Sequence, residues 1–263
     1  MSIHPDHRHD PGTTAADHPP ADPMGDDTLD LRVADLVALL TERQPSPPSA
    51  TGHPPGSDTT AQSAIDSEAG RLDGDLLDSV ASWKPADTPF GSFRLAPVRL
   101  GRDLPLLSRW MNDPAVAAFW ELAGPDTVTA DHVRAQLEGD GRSVPCLGVL
   151  DSTPMSYFEI YRADLDPLAR AYPARPHDTG IHLLLGGVAD RGRGVGSALL
   201  RAVADLVLDH RPRCTRVVAE PDIRNTPSVS AFLNAGFRYA AEVDLPDKRA
   251  ALMIRDRALR HAL

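Results

Sequence analysis

Cysteine is scarce in this chain: among 263 residues there are two, Cys146 and Cys214, far apart and with no C-x-x-C spacing. Neither a disulfide framework nor a zinc knuckle is signalled, and a reducing, cytoplasmic compartment is expected. No apolar run approaches the roughly 18 residues that would suggest a membrane span, and the start MSIHPDHRHD has neither the basic n-region nor the apolar h-region of a signal peptide. A basic excess is missing too. The formal net charge is −10, from 27 Lys+Arg against 37 Asp+Glu, so nucleic acid and anionic membranes are not expected partners. What is present is 41% hydrophobic and 24% charged residues, enough for one sizeable core or two small ones.

The charge is unevenly placed. Residues 1–90 hold 16 acidic and 5 basic side chains, whereas residues 91–263 hold 21 and 22. Within the acidic part, 1–27 and 44–70 are built from Pro, Asp, Ser, Thr, Gly and His, without aromatic or β-branched clusters that could offset the entropy of ordering, so a disordered tail over 1–75 is expected. Between them Leu29, Val33, Leu36, Val37 and Leu40 recur at helical spacing and predict an amphipathic helix over 28–43. The His-rich start (His4, His7, His9, His18) has nothing to preorganise it, and no metal is expected there.

From about 90 the pattern changes. Strands are predicted at 90–100, 144–150, 154–162, 180–188, 216–220, 237–245 and 249–255, the second and third joined as a hairpin through Asp151-Ser152-Thr153. Helices are predicted at 103–112, with Pro105 in the first turn, and at 129–138, 197–210 and 226–235, the last ending at Gly236. The order β-α-α-β-β-β-α-β-α-β-β describes one mixed α/β domain over 76–263.

One motif stands out. After the apolar strand comes Arg191-Gly192-Arg193-Gly194-Val195-Gly196, and a helix containing Ser197 follows at once. Glycines let the backbone turn tightly and bare its N–H groups, the helix N-terminus adds its positive dipole end, and two guanidiniums stand by, together a seat for a pyrophosphate. The Lys-Ser/Thr pair of a P-loop is missing and the spacing is not that of a dinucleotide fingerprint. A plain Gly/Arg surface turn remains the alternative.

Arg-x-x-Gly-x-Gly between strand and helix resembles the acyl-CoA pyrophosphate loop of the GNAT superfamily of N-acyltransferases, and the element order resembles that fold, a mixed, mostly antiparallel sheet with helices on both faces. Trp110-Met111-Asn112-Asp113-Pro114, Phe119-Trp120, Tyr157-Phe158-Glu159, Gly180-Ile181-His182-Leu183-Leu184, Glu220-Pro221-Asp222-x-Arg224-Asn225 and Leu245-Pro246-Asp247-Lys248-Arg249-Ala250-Ala251-Leu252-Met253 further resemble the siderophore-biosynthesis branch, across about 90–257. That resemblance implies an acyl-CoA-dependent enzyme (acetyl-CoA or succinyl-CoA) that acylates an N-hydroxylated lysine, ornithine or diamine. The hydroxamate product would be an iron-chelating arm. A GNAT enzyme for another small amine or a protein N-terminus, or an acyl-CoA-binding scaffold without turnover, are the alternatives. A pathway enzyme recruited by the N-terminal tail is a candidate partner.

The resemblance also distributes roles. His182, mid-strand, is the candidate general base, a neutral imidazole titrating near the working pH. Asp222 is a candidate to orient it or to hold the acceptor, or else a loop cap. An amide near Leu184 or Leu185 is the candidate oxyanion donor. Asn225, with Ser228 beyond it, is either a pantetheine contact or an N-cap. The family's usual acid, a Tyr, is replaced by Phe232, so the proton for the departing thiolate comes from imidazolium on His182, from Asp222, or is not needed. Trp120, Tyr157 and Glu159 are acceptor-pocket candidates with core packing as the alternative, as for Trp110, and Lys248 either meets a substrate carboxylate or faces solvent.

Overall fold

The computed structural model describes Leu77 and residues 79–261. The tail, its 28–43 helix and its histidines lie outside the described residues. The sheet begins with a hairpin, β1 (Ala86–Thr88) and β2 (Gly91–Pro97), whose first strand the sequence did not announce. Helix α1 (Leu100–Met111) starts earlier than predicted. The Asp103 carboxylate accepts the Arg99 N–H at 2.8 Å and draws the first turn back to Leu100, leaving Pro105 inside the helix rather than in its first turn. Pro105 lacks the N–H that would reach the Gly101 carbonyl, but both residues are exposed, so that group is open to solvent. The short α2 (Pro114–Trp120) went unpredicted because seven residues show no period. Its start is nonetheless written locally, with Asp113 capping the Ala115 N–H at 2.9 Å and proline in the first position.

After α3 (Asp126–Leu137) come β3 (Ser143–Leu150) and β4 (Thr153–Arg162), joined by the predicted tight turn with Asp151 (φ 42°) and Ser152 (φ 72°) both left-handed, the geometry that matches strand twist. Then follow β5 (Thr179–Leu185), α4 (Val195–His210), β6 (Arg216–Ala219), α5 (Thr226–Asn234), β7 (Arg238–Asp244) and β8 (Arg249–Asp256). Strand β5 stops three residues short of its predicted end. A Cβ on Gly186 would meet the Trp110 indole at 2.0 Å, so the chain slips past the ring as glycine and enters a 3-10 turn at Val188–Asp190. The glycine motif therefore follows that turn, not the strand itself. Helix α5 ends as predicted at Gly236 (φ 86°): the Phe237 N–H reaches the Phe232 carbonyl at 3.1 Å, the Gly236 N–H reaches Leu233 at 3.0 Å, and the two phenylalanines close the end edge to face.

The eight strands form one sheet in the order β1-β2-β3-β4-β5-β6-β8-β7, antiparallel except for β5 with β6. Alternation along β5 assigns the two faces. Leu184 joins Leu107, Trp110, Met111, Val116 and Val133 of α1, α2 and α3, while Leu185 lies beneath Gly196 of α4. Helices thus cover both faces, the expected GNAT arrangement. Each buried aliphatic or aromatic side chain contributes about 1.5–3 kcal/mol on burial, so two layers of them hold the strands rigid around the gap described next.

Candidate active site

Strands β5 and β6 pair only at Thr179–Val217 and Gly180–Val218, and beyond Ile181 they part. The Gly186 N–H bonds the Met155 carbonyl at 2.9 Å and sets the phase of the β4–β5 ladder. With alternating pairs, the amides of His182 and Leu184 turn toward β4, and those of Leu183 and Leu185 point into the gap. Of the two predicted oxyanion donors, Leu184 is therefore spent within the sheet and Leu185 faces the opening. Two adjoining cavities fill the gap: one of about 600 Å³ between the glycine loop, β5 and α5, the other of about 280 Å³ around His182. Phe119, Trp120, Leu183, Asn225, Ser228 and Phe232 line both.

The larger cavity opens on the motif. Gly192 (φ 72°) and Gly194 (φ 80°) are left-handed, conformations that cost an L-residue roughly 1–2 kcal/mol. Gly194 is the N-cap of α4 and brings no capping side chain, so the first-turn amides of Val195, Gly196 and Ser197 keep no intrahelical partner. Arg191 does not reach out as an anion clamp. Its Nη2 donates to the Leu185 carbonyl at 2.9 Å and its Nη1 to Asp113 Oδ1 at 2.9 Å, tying the loop to the end of β5 and to the cap of α2. That corrects its expected role: Arg191 shapes the cradle from behind, and Arg193, exposed, is the guanidinium left to face an anion.

The smaller cavity contains an arrangement that no single stretch of sequence announces. Glu159 of β4 lies directly across the ladder from His182. Its Oε2 is 2.9 Å from His182 Nδ1, and His182 Nε2 is 2.5 Å from Glu220 Oε1, just past the end of β6. The other Glu159 oxygen takes His132 Nε2 at 2.6 Å and the Gln136 amide at 2.6 Å, both from α3, and the Tyr157 hydroxyl at 3.0 Å. The Tyr161 hydroxyl donates to Glu220 Oε2 at 2.7 Å. Trp120 meets the His182 ring edge to face and Tyr161 stacks obliquely on it. Two nearly buried carboxylates thus clasp a ring that remains one-third exposed.

Ionised carboxylates only accept, so both nitrogens of His182 carry hydrogen and the ring is an imidazolium. Burial opposes that charge, but Glu220 and Glu159 outweigh it and hold the imidazole up at about 10. Burial likewise opposes charge on Glu220, which His182 and then Lys248 pull down to about 2, and on Glu159, which its two histidines draw well below the usual carboxylate range. Burial and then Glu159 push the Tyr157 hydroxyl far up, and burial and Glu220 do the same to Tyr161, so both remain donors. The neutral imidazole expected at His182 is corrected to a charged one.

The other predicted residues sort as follows. Asp222 lines the smaller cavity, but Arg224 holds its carboxylate, Nη2 to Oδ2 at 2.6 Å, and Glu159 and Glu220 take the orienting role expected of it. Asn225 is an N-cap, accepting the Ser228 N–H at 3.2 Å, while also lining both cavities. Phe232 packs on Phe237 and offers no proton. Tyr157 is fully buried and braces Glu159, which is itself engaged by His132 and His182. Trp120 is half-buried in the shared wall, and Trp110 is core. Lys248 turns inward, its Nζ 4.0 Å from Glu220 Oε1, instead of facing solvent. Sequence reasoning passed over Glu220, His132, Gln136 and Tyr161 as site residues. Signals existed: Tyr161 continues the period of Tyr157 and Glu159, and His132 and Gln136 are four apart on one helix face.

Comparison with known proteins gives the family of the fold. Residues 99–245 match the model of the acetyltransferase (GNAT) domain. The chain is 36% identical to "Lysine N-acyltransferase MbtK" of Mycolicibacterium paratuberculosis over 184 residues, 69% of this chain and 82% of that protein. It is 38% identical over 167 residues to "N(6)-hydroxylysine O-acetyltransferase" of Escherichia coli, covering 63% of this chain and 52% of that one. Among solved structures, an uncharacterized protein of Bacillus halodurans superposes with a TM-score of 0.62 at 31% identity, over 68% of this chain and 94% of that one. An aminoglycoside acetyltransferase in complex with coenzyme A shares the fold, with a TM-score of 0.57 at 23% identity over 65% and 98%. With a splayed β5–β6 gap, an uncapped glycine-led helix start and a domain match across more than half its length, this chain belongs to the GNAT acetyltransferase-domain family.

Proposed function

We propose that the protein is an acyl-CoA-dependent N-acyltransferase that converts an N-hydroxylated lysine, ornithine or diamine into a hydroxamate in siderophore biosynthesis. The observation that carries this reading is the clasp of His182 between two carboxylates, Glu159 at Nδ1 and Glu220 at Nε2, which favours the imidazolium. A general base for an ordinary alkylammonium should arrive deprotonated, and this ring does not. N-hydroxylation withdraws electron density from nitrogen and leaves the acceptor neutral near pH 7, so the attack needs no strong base. The relative from Escherichia coli, named for N(6)-hydroxylysine, supports the hydroxylated acceptor class, and the one from Mycolicibacterium paratuberculosis, named for lysine, supports the carbon skeleton.

In this scheme the first-turn amides of α4 hold the diphosphate of acyl-CoA, the apolar wall of Leu183, Ala231 and Phe232 takes the pantetheine arm, and the Leu185 amide meets the thioester oxygen. The nitrogen attacks, the N–C bond forms, and the now cationic, acidic nitrogen loses its proton to the Glu220 carboxylate, the member of the closely bonded Glu220–His182 pair that can accept one while the ring is charged. As the C–S bond breaks the pair returns one proton to sulfur, supplying what Phe232 cannot. Trp120 and Tyr161 shield the ring from water. The test is thiol release by purified protein from acetyl-CoA and succinyl-CoA, with N6-hydroxylysine and N-hydroxycadaverine set against lysine and cadaverine. Hydroxylated acceptors are expected to react at least about tenfold faster. Equal rates would remove the siderophore reading, and binding of acyl-CoA without release would point to a scaffold.

A further inference from the structure

Beyond the His182–Glu220 pair the cluster continues for two more links that the reaction scheme does not use. His132 of α3 is 2.6 Å from Glu159 Oε1, and the opposite oxygen of the same carboxylate is 2.9 Å from His182 Nδ1. Histidine and glutamate therefore alternate, His132–Glu159–His182–Glu220, across a helix and three neighbouring strand segments. The two carboxylates are nearly buried, whereas the His132 and His182 side chains are each one-third exposed. Gln136 is locked for the same purpose: its amide nitrogen donates to Glu159 at 2.6 Å and its amide oxygen takes the Ser143 hydroxyl at 2.7 Å. One oxygen of this nearly buried carboxylate takes three donors, and α3 supplies two of them although it contributes nothing else polar to the chamber.

We propose that His132, with Gln136, is a positioning residue: by fixing and discharging Glu159 it sets how tightly His182 keeps its proton, and so the pH range in which the Glu220–His182 pair can pass one on. This rests on the acyltransfer reading for its kinetic consequence but not for its chemistry. Donation from His132 disperses negative charge on Glu159, and without it the carboxylate bears more heavily on His182 Nδ1. The other charged or titratable groups around this ring are Glu220 and Asp222 beyond β6, Asp247 and Lys248 of the β7–β8 turn, Tyr157 and Tyr161 of β4, and Asp166 of the segment after β4. Among the described residues His132 hydrogen-bonds to none of these, only to Glu159 and Gln136.

The experiment is a pH titration of the His182 ring by NMR in wild type and in His132→Leu and His132→Gln, beside kcat and KM for acetyl-CoA across pH. His132→Leu should raise the His182 midpoint by about half a pH unit or more, move the alkaline limb of kcat in the same direction, and leave KM for acetyl-CoA within about twofold. His132→Gln, which keeps a donor to the same oxygen, should restore most of the wild-type midpoint. If His132→Leu does not fold, Gln136→Leu removes the second donor and must shift the midpoint the same way. A folded Leu variant with unaltered midpoint and limb overturns the proposal. Because the ring titration needs no turnover, a protein that fails to acylate hydroxylamines still decides the His132 question.

Discussion

The two chambers of the gap are built on opposite principles. The glycine loop is a backbone site: its donors are main-chain amides, its shape depends on two left-handed glycines, and all of it lies within ten residues of sequence. The His–Glu cluster is a side-chain site whose members come from α3, β4, β5 and the end of β6, and only packing brings them together. An anion seat of the first kind stays exposed and tolerates water. A buried alternation of charge persists only while every partner is present, since removing one leaves an uncompensated charge behind. The first chamber should therefore fail in binding and the second in chemistry.

The largest test of that division is within the pair. Glu220→Gln or His182→Ala should lower kcat by about 100-fold or more with little change in KM for acyl-CoA, as steady-state kinetics would show. A KM effect of the same size would erase the contrast. Gly194→Val should do the reverse, raising KM for acyl-CoA by about tenfold through roughly 1–2 kcal/mol of left-handed strain at the cradle, with kcat at saturation retained. An unchanged KM would show that the amides are not the seat.

The pH response sharpens the comparison further. His182 is raised from 6.5 to about 10, so its stabilising contribution is complete below its unfolded value and drains away as pH rises toward 10. Glu220 is lowered from 4.5 to about 2, so its contribution is present above 4.5 and is lost as pH falls toward 2. Thermal melts should accordingly show both slopes in wild type, and Glu220→Gln should flatten each. Smallest of all, Asn225→Ala should cost about 1 kcal/mol in a denaturant melt by uncapping α5, with kcat altered less than twofold.

How much was readable in advance follows the same line between local and distant. The β3–β4 hairpin, the amphipathic α4 and the Gly236 end of α5 were legible because each depends on residues a few positions apart. Helix α2 was too short to show a period, and α1 began early because one carboxylate bonded back to its own first turn. In the site, Gly194 and His182 stood out by type and place. Glu220 stood in a recognised motif but without a role, until the parting of β5 and β6 left it facing the imidazole. Arg191 misled for a related reason: its sequence shows a free cation, and its surroundings show a brace.

By itself the sequence determined where the backbone must turn, which helix start would be left bare and which apolar faces would seek cover, because glycine conformations, caps and periodicity act over a few residues. Only the tertiary structure decided the charge on His182, the company of Glu159 and the task of Arg191. Those depend on desolvation and on partners brought within 3 Å by a sheet that splays, and neither quantity is a property of any one stretch of chain.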